Sequence, residues 1–246
     1  LHLAVGLPAD LSDDQVEQFL NGVFAGLDQY EVSLAGGDTC RSEGSLVISV
    51  TVQGFCHKDQ LITRDGAGVG DDLWVSGTLG DSGLALHFLQ SNQPLSAFLA
   101  ERHYRPEART MLGQRLAIET LATAMLDLSD GLSGDLRHLL SASAVGARVE
   151  IERLPLSVEF VAELQADRRL FDLALCGGED YELLFTSKPE MRDSLERLSV
   201  EMNIPLRRIG EITPGSELRF LMANGLSYQP QIGAFDHFGS IRGSKL

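Results

Sequence analysis

The spacing of apolar residues at the start of the chain predicts a strand followed by an amphipathic helix. Residues 1–5 are a short, mostly apolar run that a glycine and a proline soon close, which is typical of a strand. Ser12 is followed three positions later by Gln15, the pattern of a helix capping box. Apolar side chains within residues 16–27 then recur three and four positions apart, as on one face of a helix.

The next apolar runs predict two further strands, at residues 31–35 and 46–56. The glycine-rich residues 36–39 are expected to close the first of these strands as a turn. A sheet this small is rarely stable on its own. We therefore expect residues 1–57 to be the remainder of an α+β domain whose first part precedes Leu1.

A polar, glycine-rich stretch at residues 57–72 predicts a domain junction, beyond which short strands alternate with helical segments. We interpret the glycine-rich residues 77–83 as a strand-to-helix turn. The sequence thus predicts a mixed α/β (α+β) fold of two domains, residues 1–57 and 58–246. In the second domain, strands are predicted at 73–76, 124–126, 148–151, 181–185 and near 206 and 218, and helices at 82–89, 106–116, 132–140 and 189–200.

The composition is that of an ordinary globular protein, with 43% hydrophobic residues in a chain of 246. Acidic residues number 35 against 20 basic ones, and the formal net charge of −15 repels phosphate backbones, so we expect no nucleic-acid partner. The three cysteines are far apart and form no CxxC pair, which favours a reducing, cytoplasmic setting over disulfides or a zinc site. No apolar run approaches the roughly 20 residues of a membrane span, so we expect no membrane partner.

Three segments place an acid beside glycines next to a predicted strand end, at residues 36–38, 127–131 and 177–180. Glycine lets the backbone approach a ligand closely, and carboxylates on such turns suit Mg²⁺, a hard cation that also bridges phosphates. Asp127 and Asp130 can point to one spot, and the helix predicted after them offers N–H groups to an anion. The alternative is structural, because Gly-Gly-Asp is a common turn and Asp is a common helix cap.

Several familiar catalytic patterns are absent from the sequence. It contains neither a Walker loop nor the HRD and DFG motifs of protein kinases. The six histidines are scattered, without an HExxH or HxH pattern, and the cysteines are interpreted as small core residues. We therefore assign no residue as a general base.

In combination, the motifs resemble those of the thiamine-monophosphate kinase family, within the superfamily that includes aminoimidazole ribonucleotide synthetase. The resemblance covers nearly the whole chain. It implies the two-domain fold of that superfamily, a homodimer joined through N-terminal domains, and an enzyme that uses ATP and Mg²⁺ to phosphorylate thiamine phosphate to thiamine diphosphate. The segments that carry it are GGDT at 36–39, LITRDGAGVGDDLWVSGTLGDSG at 61–83, LDLSDGL at 126–132, GGEDYELLF at 177–185 and FDHF at 235–238.

The resemblance also implies roles for individual residues. The family often has tyrosine where this chain has Phe235, so the ring could still stack on the substrate, but it has no hydroxyl to offer as a hydrogen-bonding group. By position in the motifs, the residues implied for ATP are Gly37, Asp38, Arg64 and Ser129, those for Mg²⁺ are Asp38, Asp127 and Asp130, and those for the substrate are Glu179 and Phe235.

The resemblance further implies an N-terminal segment with additional metal ligands, which would precede Leu1. We therefore expect this chain alone to bind ATP weakly and to show little kinase activity. The acceptor phosphate has a second pKa of about 6 and is mostly dianionic at neutral pH, so direct in-line transfer needs no general base. Two alternatives stay open: a sister ATP-dependent synthetase of the same superfamily, and a non-catalytic nucleotide- or metabolite-binding fragment.

Overall fold

The computed structural model describes residues 1–233 and divides into two compact units, Leu1–His57 and a second that begins at Lys58. Each unit contains both helices and a β-sheet, which confirms the predicted mixed α/β class. Within the described residues, no helix is both long enough and apolar enough to cross a membrane.

The first unit is a three-stranded sheet with one long helix. Strand β1 lies in the centre, parallel to β2 on one side and antiparallel to β3 on the other. The elements are β1 (His2–Pro8), α1 (Asp13–Gln29), β2 (Gly36–Ser42) and β3 (Val47–Thr51).

Helix α1 begins as its sequence predicted. The Ser12 hydroxyl accepts a hydrogen bond from the Gln15 backbone N–H at 3.3 Å, and the Gln15 side chain accepts one from the Ser12 N–H at 3.0 Å. This reciprocal capping box satisfies two N–H groups that a helix start otherwise leaves without a partner.

The predicted strand at residues 31–35 is wrong, and so is the turn at residues 36–39. Strand β2 instead starts at Gly36 and continues through Asp38 to Ser42, paired in parallel with β1. Glycine is needed here for close approach, because a Cβ on Gly37 would lie 1.8 Å from the carbonyl oxygen of Leu3. The glycines therefore serve strand pairing, and Asp38 is an exposed residue of a strand.

The second unit is built on a seven-stranded sheet of order β10-β9-β6-β8-β4-β7-β5, antiparallel except for the β6–β9 pair. Its strands are β4 (Asp72–Ser76), β5 (Ala124–Asp127), β6 (Gly146–Glu150), β7 (Leu183–Ser187), β8 (Leu206–Thr213), β9 (Leu218–Leu221) and β10 (Ser227–Tyr228). Its helices are α2 (Asp81–Gln90), α3 (Ala97–Tyr104), α4 (Thr110–Ile118), α5 (Leu132–Ser143), α6 (Val158–Ala166), α7 (Phe171–Cys176) and α8 (Arg192–Met202).

Both faces of this sheet are buried. Successive residues of β4 alternate between them, so that Leu73 and Val75 enter one core and Trp74 the other. The first core takes in a leucine stripe on one face of the predicted helix α5, formed by Leu132, Leu136, Leu139 and Leu140. In the second core, the Trp74 and Phe185 rings are stacked with centroids 6.4 Å apart. The sheet is thereby held rigidly from both sides, which fixes the ends of its strands.

The helix predicted to begin at Pro106 is displaced in the structure. Helix α4 starts only at Thr110, with Arg109 as its N-cap, and the sequence analysis did not identify α3. Helix α3 has a conventional start, since the Ser96 hydroxyl accepts the Leu99 N–H at 3.2 Å. The residues between the two helices are not helical, and Arg109 there turns its side chain towards the buried Glu182.

Candidate functional site

Two of the acidic turns, residues 127–131 and 177–180, are joined by backbone hydrogen bonds in the second unit. The Glu179 N–H donates to the carbonyl of Ser129 at 2.8 Å, and the Tyr181 N–H donates to that of Leu128 at 2.9 Å. The Leu128 N–H returns a bond to the carbonyl of Glu182 at 2.8 Å. These bonds continue the β5–β7 pairing, in which Asp127 lies opposite Leu183, so the strands bring both turns to one edge.

The glycines of these motifs allow the two turns to touch. A Cβ on Gly178 would lie 2.4 Å from the carbonyl oxygen of Ser129. A Cβ on Gly131, which has a φ of +99°, would lie 2.8 Å from the carbonyl carbon of Cys176. Only glycine fits both the space and the left-handed backbone at residue 131. The glycine pattern is therefore explained by backbone contact within the site itself.

The buried carboxylate of Asp135 holds the first turn in place. It accepts the backbone N–H groups of Ser129 and Asp130, each at 2.9 Å. The backbone of the turn before α5 is thus held by one of the protein's own acids. Burial raises the pKa of Asp135, while those two hydrogen bonds lower it and the charges of Asp130 and Asp127 raise it further. No pattern in the sequence pointed to Asp135.

Four polar residues lie on the joined turns. Asp127 and Glu179 are exposed, Asp130 is half-buried, and the half-buried Tyr181 donates its hydroxyl to Oε2 of Glu179 at 3.1 Å. Burial raises the pKa of Tyr181, and the charges of Glu179, Asp127 and Asp130 raise it further. These carboxylates therefore lie within electrostatic reach of a single phenol, which stays protonated. We refer to Asp127, Asp130, Glu179 and Tyr181 as the acidic site.

The donors of the acidic site suit Mg²⁺, although they do not by themselves enclose an ion. No group of three His, Cys, Asp or Glu side chains with metal-binding geometry occurs among residues 1–233. Mg²⁺ usually takes about one or two protein carboxylates and completes its shell with phosphate oxygens and water. Asp127 and Asp130 can supply two such oxygen donors, so these residues fit a magnesium ion shared with a phosphate-bearing ligand.

The intervening acids of the same segment face inward. Asp180 is fully buried and accepts the N–H groups of Gly80 at 2.6 Å and Ser82 at 3.3 Å, where α2 begins. A carboxylate suits this position because it satisfies the N–H groups of the first turn. Burial nevertheless dominates and raises the pKa of Asp180 to about 7. Asp180 was grouped with the acidic turn in the sequence and is instead a structural cap.

Glu182 is completely buried and paired with two arginines. Arg109 binds it through Nε and Nη2, both at 2.8 Å, and Arg102 through Nη1 at 3.0 Å. The Ser76 hydroxyl donates to the same carboxylate at 2.6 Å. Gly77 has a φ of +58° and leaves the necessary room, because a Cβ there would lie 2.1 Å from Oε1 of Glu182. No local sequence pattern predicts this network, because its arginines are about 70 to 80 residues distant from Glu182 in the chain.

The glycine-rich residues 77–83 form the strand-to-helix turn that the sequence predicted. The buried Asp81 within it accepts hydrogen bonds from the hydroxyls of Thr78 and Ser157. Arg102 approaches the same carboxylate at 3.5 Å. Burial raises the pKa of Asp81 against these stabilising contacts. Together with Asp180, Glu182 and the two arginines, Asp81 completes what we call the buried ion network.

Arg64 lies beside the strand that ends at Asp127. The N–H of Met125, in β5, donates to the carbonyl of Thr63 at 3.1 Å, and Gly66 passes so close that a Cβ would lie 2.0 Å from the carbonyl oxygen of Thr123. This segment covers the outer edge of β5, an edge that a sheet normally has to protect. The exposed Arg64 is thus placed along the same strand as the acidic site.

The remaining predicted residues lie elsewhere. Gly37 and Asp38 belong to the first unit, on β2, whereas Asp127, Ser129, Asp130 and Glu179 come together in the second. Phe235 lies outside the described residues.

Two family profiles match the chain in succession. The N-terminal domain of AIR synthase related protein matches residues 1–56, and the C-terminal domain of the same family matches residues 68–222. The fold and these matches define an AIR synthase related protein.

Similarity to individual proteins narrows the class. Thiamine-monophosphate kinase of Salmonella typhimurium is 35% identical over 245 residues, which cover 98% of this chain and 74% of that protein. The crystal structure of thiamine-monophosphate kinase from Stenotrophomonas maltophilia is 41% identical with a TM-score of 0.82, covering 89% of this chain and 70% of that one. The AaThiL complex with AMPPCP and TMP is 30% identical with a TM-score of 0.78, and the match covers 96% of this chain and 72% of that one. The chain belongs to the thiamine-monophosphate kinase family.

Proposed function

We propose that this chain transfers the γ-phosphoryl group of ATP to thiamine phosphate, giving thiamine diphosphate, in a reaction that requires Mg²⁺. The observation that carries the proposal is the acidic site, which stands on the motifs through which the chain resembles its family. The carboxylates of Asp127 and Glu179 in this site are exposed, whereas the neighbouring Asp180 and Glu182 are buried and bonded to helix N–H groups and to arginine. A related protein bound to AMPPCP and TMP supports a nucleotide and a thiamine phosphate as the two ligands.

The proposed roles divide the site into a metal side, a nucleotide side and a substrate side. Asp127 and Asp130 would ligate Mg²⁺, and the family resemblance implies the same role for Asp38 of the first unit. Glu179 would attract the cationic or amino-bearing part of thiamine phosphate. Gly37, Asp38, Arg64 and Ser129 would contact ATP, and Phe235 would stack on the substrate.

The acceptor is itself a phosphate, and this decides what the protein must do. Its second pKa of about 6 leaves it mostly dianionic at neutral pH, so no residue has to remove a proton. The main obstacle is repulsion between two anionic substrates. When bound, Mg²⁺ supplies positive charge that neutralises phosphate oxygens and aligns them for in-line attack. The arginine at residue 64 adds charge of the same sign, and the reaction proceeds directly, without a phosphoenzyme.

Glu179 provides discrimination on the substrate side. Its carboxylate is exposed and one of its oxygens is already held by Tyr181, so it can accept a hydrogen bond from a donor on the ligand. A carboxylate favours a positively charged or amino-bearing heterocycle over a neutral one. The proposal therefore assigns recognition of the thiamine portion to Glu179 and recognition of the phosphates to the metal and arginine side.

The proposal is tested by ADP release from ATP with the purified chain, with and without thiamine phosphate. We expect slow ADP release that needs both thiamine phosphate and Mg²⁺, together with thiamine diphosphate detected by mass. Unphosphorylated thiamine serves as the matched control acceptor. Equal ADP release with thiamine, or calorimetric titrations in which thiamine phosphate does not bind in the presence of Mg²⁺ and a nucleotide, would contradict the proposal.

The proposal includes a setting and an assembly. We infer a cytoplasmic enzyme that acts as a homodimer, which is the arrangement that the family resemblance implies. Light scattering of the purified protein tests the assembly, and a monomer at micromolar concentration would contradict it.

A further inference from the structure

We propose that Tyr181 is a positioning residue that orients Glu179 for the thiamine portion of the substrate. The inference rests on the proposed function, because it concerns the same site. It adds a residue to which neither the sequence analysis nor the family resemblance gave a role. The geometry of one short segment carries the argument.

The contact between the two side chains is direct. The Tyr181 hydroxyl donates to Oε2 of Glu179 at 3.1 Å, and within residues 1–233 this is the hydrogen bond that the Glu179 side chain makes. Of the two carboxylate oxygens, Oε2 is held and Oε1 is left for a donor on the ligand. A carboxylate held by a neighbour loses less rotational freedom on binding than one that moves freely.

The backbone is held in an uncommon conformation to make this contact. Glu179 and Tyr181 have φ angles of +69° and +50°, a region that non-glycine residues rarely adopt. Such conformations persist where the surroundings over-determine them, and they cluster at functional sites. Here Asp180 and Glu182, one on each side of Tyr181, are fixed in the buried ion network. The inward acids thus hold Glu179 and Tyr181 outward.

The chemistry around the phenol supports a donor role. Burial and the charges of Glu179, Asp127 and Asp130 raise the pKa of the Tyr181 hydroxyl, which therefore keeps its proton at neutral pH. A hydroxyl donor reduces the repulsion between Glu179 and the two aspartates without adding a charge that would compete with Mg²⁺.

The test is Tyr181→Phe, which keeps the ring and removes only the hydroxyl. We expect KM for thiamine phosphate to rise about three- to tenfold, the range for one lost hydrogen bond. KM for ATP should stay within twofold of wild type, and the melting temperature should be unchanged. Tyr104→Phe is the matched control, because Tyr104 is an exposed tyrosine of α3, and it should change none of these values. A direct calorimetric titration with thiamine phosphate should show the same loss of affinity.

A second variant separates this inference from the proposed function. When Tyr181→Phe is added to Glu179→Gln, the double variant should bind thiamine phosphate almost as well as Glu179→Gln alone, because the two residues act as one unit. Fully additive losses, or a Tyr181→Phe variant with wild-type affinity for thiamine phosphate, would overturn the positioning role and leave the proposed function standing. Equal losses of affinity for both substrates with a lower melting temperature would also overturn it. Failure of the wild-type protein to bind thiamine phosphate would instead overturn the proposed function.

Discussion

The acidic site and the buried ion network use neighbouring residues of the same short segment for opposite purposes. Glu179 and Tyr181 face outward, whereas Asp180 and Glu182 face inward. The inward acids meet arginines or helix N–H groups from other parts of the second unit. No described residue forms a salt bridge with Glu179.

This difference shows how the protein can concentrate negative charge without losing stability. A buried charge must be paired inside the protein, since removing it from water is costly. An exposed charge keeps its water and can exchange it for a metal or a substrate. The inward acids therefore anchor the segment, and the outward acids are presented to ligands. Variants of the two groups should have separable effects, the first on folding and the second on binding.

The largest effect on folding is expected from Arg109→Met. This change removes the bidentate partner of Glu182 and leaves a buried charge that Arg102 alone must balance. We expect the free energy of unfolding to fall by about 3–5 kcal/mol, measured by urea denaturation. Arg115→Met is the matched control, because Arg115 forms only surface ion pairs with Glu119 and Glu201. A loss no greater than that of the control would mean that Glu182 is not held as described.

The largest effect on activity is expected from Asp130→Asn. Losing a charge that stabilises the transition state typically lowers kcat/KM on the order of a hundredfold or more. Turnover should fall by this amount at limiting Mg²⁺, while the melting temperature stays close to that of wild type. Glu196→Gln, on the exposed surface of α8, controls for the loss of one carboxylate. Unchanged turnover of Asp130→Asn at limiting Mg²⁺ would contradict the metal assignment.

Gly178→Ala should moderately disturb both the acidic site and the buried ion network. The added methyl group would push apart the two turns at residues 127–131 and 177–180, which connect these regions. Its Cβ would meet the carbonyl oxygen of Ser129 at 2.4 Å, and overpacking of this kind costs about 1–3 kcal/mol. Gly26→Ala in α1 provides the opposite control, since nothing lies within 4 Å of its Cβ. That change should stabilise the protein, because alanine favours a helix over glycine. Equal behaviour of the two variants in thermal melts would refute the close approach of the turns.

Asp180 gives the buried region a pH dependence of its own. Its pKa in the folded protein is raised to about 7, so the native state binds a proton that the unfolded chain releases near its ordinary value of 3.8. Its contribution to stability is therefore complete below pH 3.8 and is lost as the pH rises towards 7. Between pH 5 and 7, wild type should lose about 1–2 kcal/mol more than Asp180→Asn in urea denaturation. If the free energies of unfolding of wild type and Asp180→Asn changed with pH in parallel, this would show that Asp180 titrates normally.

Local patterns predicted those features that depend on neighbouring residues. The capping box at Ser12, the leucine stripe of α5 and the turn after β4 all follow from residues a few positions apart. The two acidic turns at Asp127 and Glu179 could be picked out because glycines and acids stand together in the sequence.

Features that depend on distant residues could not be predicted in this way. Gly37 is required because another strand, more than 30 residues earlier, approaches its backbone. The partners of Glu182 come from the region of α3 and α4, and nothing in the sequence pairs them with it. Whether an acid faces inward or outward depends on such partners, so the alternating roles in residues 179–182 became visible only in the structure.

The most direct test of the two-region account is ligand-induced thermal stabilisation of Asp130→Asn and Arg109→Met compared with wild type. ATP and Mg²⁺ at about a hundred times Kd should stabilise the wild-type protein by about 2.7 kcal/mol. The account predicts that Asp130→Asn melts at the wild-type temperature without ligand and loses most of this shift. It predicts that Arg109→Met melts at a clearly lower temperature and still gains the shift. The division between anchoring and ligand-binding acids would be contradicted if Asp130→Asn kept the full stabilisation by ATP and Mg²⁺. It would also be contradicted if Arg109→Met, rather than Asp130→Asn, lost that stabilisation.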